Sequence, residues 1–168
     1  MKELFNIKTK RGIIFLCYCL LIILTLVFIF NNSSYSREES AAQSESLAGM
    51  LKPFFDPNEK LTLDEFEHII RTMAHFAEFG LLGFEFALLA FHISKGFKLR
   101  DSVYCAFASL FLATIDEYTQ LFTERGSEVA DVLVDFSGAL CGIAAAYILA
   151  VTVRAIYRKS KLKSSSNK

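Results

Sequence analysis

Neither sign of charge prevails in this chain: 18 Lys and Arg stand against 18 Asp and Glu, so the formal net charge is zero. The basic excess that marks a nucleic-acid binder is therefore missing. The four cysteines form no Cys-x-x-Cys pair. Cys17, Cys19, Cys105 and Cys141 all lie in apolar runs, where cysteine serves as a small apolar residue, and neither a disulfide framework nor a zinc site is implied. Internal repeats and nucleotide-binding motifs are absent, and both prolines, Pro53 and Pro57, fall in one polar segment and interrupt no apolar run. With 168 residues the chain is too short for a multidomain enzyme. With 53% hydrophobic residues, 17 Phe and a mean hydropathy of +0.37, it is too apolar for an ordinary soluble or disordered chain.

Long hydrophobic runs are what it has instead. Ile13 to Phe30 holds 18 residues without a charge, about 27 Å of helix, close to the thickness of a bilayer core. A secretory signal peptide is the rival reading, since Lys8, Lys10 and Arg11 precede the run. The run is long, however, and Asn31-Asn32-Ser33-Ser34 offers no small-x-small cleavage pattern. Three further apolar segments, 73–93, 102–122 and 129–153, are each long enough to span, although they carry acids. The expected fold is an all-α integral membrane bundle of four transmembrane helices. Residues 1–12 precede the first span (13–30), a loop follows at 31–72, a three-helix core occupies 73–153, and a basic tail runs from 154 to 168.

The charges sort by segment. Residues 1–12, the link 94–101 and the tail hold 13 bases and two acids; the loop 31–72 and the turn around Arg125 hold five bases and ten acids. The positive-inside rule then places both termini in the cytoplasm and the 31–72 loop outside, in a multi-pass protein of the cell membrane. Within that loop, Leu47, Met50, Leu51, Phe54 and Phe55 fit a short amphipathic helix that Pro53 and Pro57 break, or an interfacial anchor. Thr62 and Glu65 have the spacing of a capping box opening a helix that continues into the second span. An ordinary solvated loop is the alternative for the segment.

Six carboxylates remain in or at the ends of the spans: Glu78, Glu85, Asp116, Glu117, Asp131 and Asp135. Intramembrane ionisable groups face a bundle interior or a water-filled cavity. Their spacing agrees. His75, Glu78, Leu82, Glu85, Leu89 and His92 recur at three and four residues on one face; Ala106, Ser109, Ala113, Asp116 and Gln120 do so in the third span; Asp131, Asp135, Gly138, Gly142 and Ala146 do so in the fourth. Gly80, Gly83, Ala87 and Ala90 give the second span a small-residue face suited to close helix approach. That span is expected to be central, and the first, with only Cys, Tyr and Thr as polar groups, peripheral. Glu117 lies about 100° around the helix from Asp116 and is expected at the interface or headgroups. Topology brings His75, Glu78, Asp116, Glu117, Gln120, Asp131 and Asp135 to the outer leaflet beneath Arg125. This forms an acidic pocket with Glu85 about 10 Å deeper. Arg125, Arg71 and His75 are the nearest candidate partners of the acids.

These residues resemble the signature of the VanZ-like family of small bacterial membrane proteins: Arg71-Thr-Met-Ala-His75-Phe-Ala-Glu78-Phe79, Asp116-Glu117-Tyr-Thr-Gln120-Leu-Phe122 with Arg125, and Asp131-Val-Leu-Val-Asp135-Phe-Ser-Gly138-Ala-Leu-Cys-Gly142. The chain departs from the pattern at Thr72, where Lys is common, and at Phe79, where Tyr is common. The resemblance implies an integral membrane protein, and the family's founding member is associated with low-level resistance to teicoplanin, a lipoglycopeptide that acts on cell-wall precursors outside the membrane. It brings no established activity.

Three functions compete with a helix-locking polar network. The pocket binds an envelope component such as a lipid-linked wall precursor, or the target of a lipoglycopeptide antibiotic, with membrane lipids as the surrounding partner. Alternatively the protein is a hydrolase or transferase on such a substrate, with Asp116, Glu117, Asp131 or Asp135 as general base and His75 or Arg125 steering charge. Transport of protons or ions through Glu78, Glu85 and His92 is the third. No cofactor is expected from any motif. A divalent metal is conceivable on His75, Glu78, Asp116 and Asp131, although the His-x-x-Glu spacing lacks a second His.

Overall fold

The structure, a computed structural model, describes residues 2–35, 37–96, 98–123 and 128–166. Arg125, expected above the acids, lies outside them. The described residues form five α-helices and no strand: α1 (Lys2–Ser33), α2 (Arg37–Phe55), α3 (Leu63–Ser94), α4 (Leu99–Gln120), continued by one 3-10 turn at Leu121–Thr123, and α5 (Val129–Ser166).

The start of α3 follows from its first residues. Thr62 is extended, its hydroxyl accepts from the Glu65 amide at 3.3 Å, and the Glu65 carboxylate accepts from the Thr62 amide at 2.8 Å, which is the reciprocal capping box. The helix then runs 32 residues, ten of them ahead of the segment expected to cross the membrane. Its end at Lys95 adopts the left-handed conformation, with φ 57°, before Gly96. The last carbonyls of a helix have no partner within it, and here arginines from the two flanking helices supply them. Arg11 of α1 donates to the His92 carbonyl at 3.1 Å, and Arg154 of α5 donates to the Lys95 carbonyl at 3.2 Å while covering the Phe91 ring.

α3 is the centre of the bundle, with its principal interface against α5. Gly80 and Gly83 meet Gly138, Ala139 and Gly142 backbone to backbone: a methyl added at Gly83 would overlap the Ala139 carbonyl, one at Gly138 that of Phe76, and one at Gly142 that of Gly80. In lipid, where apolar side chains gain little by leaving one apolar medium for another, such close van der Waals contact is a main source of helix association. Around it, Phe79 and Leu82 of α3, Ile22 and Ile29 of α1, Ala113 of α4 and Ala139 of α5 form one buried cluster.

The outward surface is apolar. Leu16, Leu20, Ile23, Leu24, Val27 and Phe28 of α1 are exposed, as are Tyr104, Phe107 and Phe111 of α4, a surface only an apolar medium tolerates on this scale. Among the described residues, three helices are long and apolar enough to cross a membrane: Lys10–Ser33 in α1, Leu63–Ser94, and Val129–Tyr157 in α5. α4, expected as a fourth, is not among them. Asp101 and Asp116 bound an uncharged stretch of 14 residues, about 21 Å of helix, and its ends dilute the apolar signal.

α2 also differs from expectation. It spans 19 residues, and Pro53 sits within its last turn instead of ending it; so close to the end, the missing N–H costs one helical bond. Its Ala48 is fully buried, as is Phe66 of α3, whereas Met50, Phe54 and Phe55 stay exposed. Asp56 closes the connection to α3, accepting from the amides of Lys60 at 3.0 Å and Leu61 at 2.9 Å, with Lys52 Nζ at 3.5 Å. The Leu61 and Lys60 amides, with Lys52 adding a smaller effect, hold its carboxyl below the usual 3.8.

Two expectations can be measured. Gly142→Ala should lower thermal stability in detergent by about 1–3 kcal/mol through overpacking. Gly49→Ala, a mid-helix site with nothing within 4 Å, should raise it by about 0.4–1 kcal/mol; equal melting of the two variants would refute the packing argument. Because the Asp56 pKa is depressed on folding, its contribution is complete above pH 3.8 and lost as pH falls through the folded value. Hydrogen exchange of the Lys60 and Leu61 amides, corrected for intrinsic rate, should quicken several-fold in Asp56→Ala at neutral pH and in the native chain only in acid.

Candidate functional site

The α3–α5 contact sets the geometry of the acids. Gly138 packs on the backbone of Phe76, next to His75, so Asp135, one turn ahead of Gly138, is carried opposite the imidazole. The His75 Nδ1 lies 3.7 Å from Asp135 Oδ1. α4 brings in Asp116, and one ligand atom each of His75, Asp116 and Asp135 lie within 4.8 Å of one another. Asp116 and Asp135 are sealed from solvent at 0% and 1% exposure, and His75 keeps 18%.

Polar side chains surround this group. Ser33, at the end of α1, donates to Asp116 Oδ2 at 2.8 Å, and Gln120, one turn along α4, donates to the same oxygen at 3.2 Å. Asn32 donates to Glu78 Oε1 at 2.9 Å. Two turns deeper, Thr25 donates to the buried Glu85 at 3.1 Å. Glu117 is buried, not at the headgroups, and accepts from the Glu128 amide at 2.9 Å across the α4–α5 connection. Neither carboxylate oxygen of Asp135 has a hydrogen-bond partner among the described residues.

Of the residues singled out in the sequence, His75, Asp116, Asp135 and Gln120 come together, with Glu78 and Glu117 hydrogen-bonded as above. Asp131 is only half-buried, in the first turn of α5, and the three-ligand group contains Asp135 in place of Asp131 and Glu78. Arg71 reaches His68 Nδ1 at 3.2 Å, one turn back on its own helix, and not an acid. His92 is at the opposite end, donating to the Arg11 carbonyl at 3.1 Å beside the Tyr18 ring. A cavity of about 390 Å³ also lies toward that end, between Leu89 and Ile93 of α3 and Asp101, Tyr104 and Cys105 of α4, and none of His75, Asp116 and Asp135 lines it.

The residues that sequence reasoning missed are on α1. Thr25, Asn32 and Ser33 each donate to a carboxylate, so the helix expected to lie peripherally supplies three donors to the acids. Their spacing of seven and eight residues puts them on one face, a signal that was present in the sequence. The two departures from the family pattern have local explanations. Phe79 is 1% exposed amid apolar side chains, and the Thr72 hydroxyl donates to the His68 carbonyl at 2.9 Å on its own helix.

A family model described as VanZ/LLP1 matches residues 15–150. No curated protein and no solved structure matches the chain.

The interhelical bond to Asp116 can be tested against its neighbour. Ser33→Ala should lower stability in detergent by about 1–2 kcal/mol. Ser34→Ala, whose hydroxyl among the described residues bonds the Phe30 carbonyl of its own helix, should leave the melting curve in place; a silent Ser33→Ala would show that the Ser33–Asp116 bond does not hold α1 to α4.

Proposed function

The chain belongs to the VanZ/LLP1 family of membrane proteins, and on that premise we propose that it binds the polar headgroup of a cell-envelope component from the outer leaflet. The observation that carries the reading is the buried group of His75, Asp116 and Asp135, three polar side chains from three helices within 4.8 Å. Asp135, fully buried, faces His75 at 3.7 Å, and neither of its oxygens has a hydrogen bond among the described residues.

The topology belongs to the same proposal. α4 has 22 residues, about 33 Å, which reaches across a bilayer core as a fourth span. Its buried Asp116, Glu117 and Gln120 face the bundle, while Phe107 and Phe111 face out. One end of the bundle gathers Arg11, His92, Lys95 and Arg154, and the other gathers Ser33, Glu78, Asp116 and Asp135. With the basic end in the cytoplasm, both termini are inside and the site lies toward the outer surface. There the exposed Met50, Phe54 and Phe55 of α2 suit an anchor in the headgroup layer. Lipid-linked wall precursors present sugar hydroxyls at the outer surface, donors that a site of carboxylates and an imidazole can accept from.

The experiment compares Asp116→Asn and Asp135→Asn with Glu45→Gln, an exposed position on α2. Both site variants should insert and remain monodisperse, shift susceptibility to teicoplanin-type lipoglycopeptides several-fold, and lose binding of purified lipid-linked wall precursor in nanodiscs, while Glu45→Gln retains both. Binding and susceptibility unchanged in correctly folded site variants would sink the reading.

A further inference from the structure

We propose that His75, Asp116 and Asp135 bind a divalent transition-metal ion, zinc or manganese, with coordination positions left for oxygen atoms of a ligand.

The donor set comes first. One imidazole and two carboxylates suit a cation that accepts nitrogen as well as oxygen donors, whereas Mg²⁺ and Ca²⁺ take oxygen donors. Three protein donors with further positions open are the arrangement of sites that engage a ligand; a closed structural zinc site has four. Ligands at about 2.0–2.2 Å from such a cation lie about 3–4 Å from one another. The His75–Asp135 separation of 3.7 Å is already in that range, and the ligand atoms of all three residues lie within 4.8 Å of one another.

The second observation is independent of the clustering. Asp135 is 99% removed from solvent, and neither of its oxygens is hydrogen-bonded among the described residues. A carboxylate in that position costs several kcal/mol unless something of opposite charge or a proton meets it. Its oxygens point toward the imidazole of His75 and the carboxylate of Asp116, the space a shared cation would occupy.

The surroundings fit as well. Ser33 and Gln120 both donate to Oδ2 of Asp116, fixing its orientation as hydrogen bonds around ligating carboxylates do. The stretch of α1 that brings Ser33 is thus an outer support of the same site. A cation there reverses the sign the site presents, so it attracts anionic oxygens such as those of a phosphate, and this deepens the headgroup-binding reading and rests on it for the identity of the ligand.

The test uses the full chain purified in detergent without chelator. The native protein should carry about one zinc or manganese per chain after dialysis, by elemental mass spectrometry. His75→Gln and Asp135→Asn should each reduce that content at least tenfold. Cobalt(II) added to chelator-stripped protein should give visible d–d absorption that both variants lack, and chelator should lower the melting temperature of the native chain but not of Asp135→Asn. A native chain that neither retains metal nor takes up zinc, manganese or cobalt overturns the proposal, as does equal retention in both variants. Should the variants fail to fold, the metal content and cobalt spectrum of the native chain still decide. The two proposals separate cleanly: precursor binding by metal-free native protein overturns the cation alone, and a metal-loaded chain that ignores wall precursors overturns the headgroup reading alone.

Discussion

Everything at the polar end of this bundle depends on how closely α3 and α5 approach. Gly80, Gly83, Gly138 and Gly142 let the two backbones touch, and that distance decides whether His75 and Asp135 face each other at 3.7 Å or stand a side chain apart. Larger residues would hold the helices farther apart, and α4, which wedges Asp116 beside the pair, would then present its carboxylate to a wider gap. The glycines contain no chemistry, yet they determine the geometry of the groups that do.

The second constraint is polar satisfaction out of water. Each of Glu78, Glu85, Asp116 and Glu117 accepts a hydrogen bond from a donor on another helix or connection. These bonds lock helix against helix and also sort the donors by depth, with Thr25 against Glu85 two turns below Asn32 against Glu78. Asp135 departs from the pattern: it is buried and has no hydrogen bond among the described residues, with His75 at 3.7 Å as its neighbour.

Much of this was legible in the sequence because a helix converts spacing into direction. The stripe Ser109, Ala113, Asp116, Gln120 is buried as its period requires, as is Asp135, Gly138, Gly142, Ala146, and the Thr62–Glu65 capping box stands where the spacing puts it. What spacing does not encode is which face meets which. Asn32 and Ser33 read as the polar edge of an apolar run, the start of a loop, since nothing in α1 alone says that Glu78 and Asp116 lie beside it. Asp131 and Asp135 share a face, and only their depth along α5 separates the half-buried from the sealed carboxylate. α4 fell outside the apolar criterion because the residues that make it part of the site, Asp116 and Glu117, are the ones that weaken its hydropathy.

The closed C-terminus of α3 has a consequence for biogenesis. Its two guanidinium caps come from either side of it in the sequence: Arg11 is made before α3, and Arg154 after it, on α5. A ribosome delivers the N-terminal helices first, so α1 and α3 meet while the glycine face of α3 is still bare and one of its carbonyl caps is missing. Only the arrival of α5 covers that face, supplies the second cap and brings Asp135 to His75. A chain lacking α5 thus leaves the glycine face of α3 bare and the Lys95 carbonyl without its arginine.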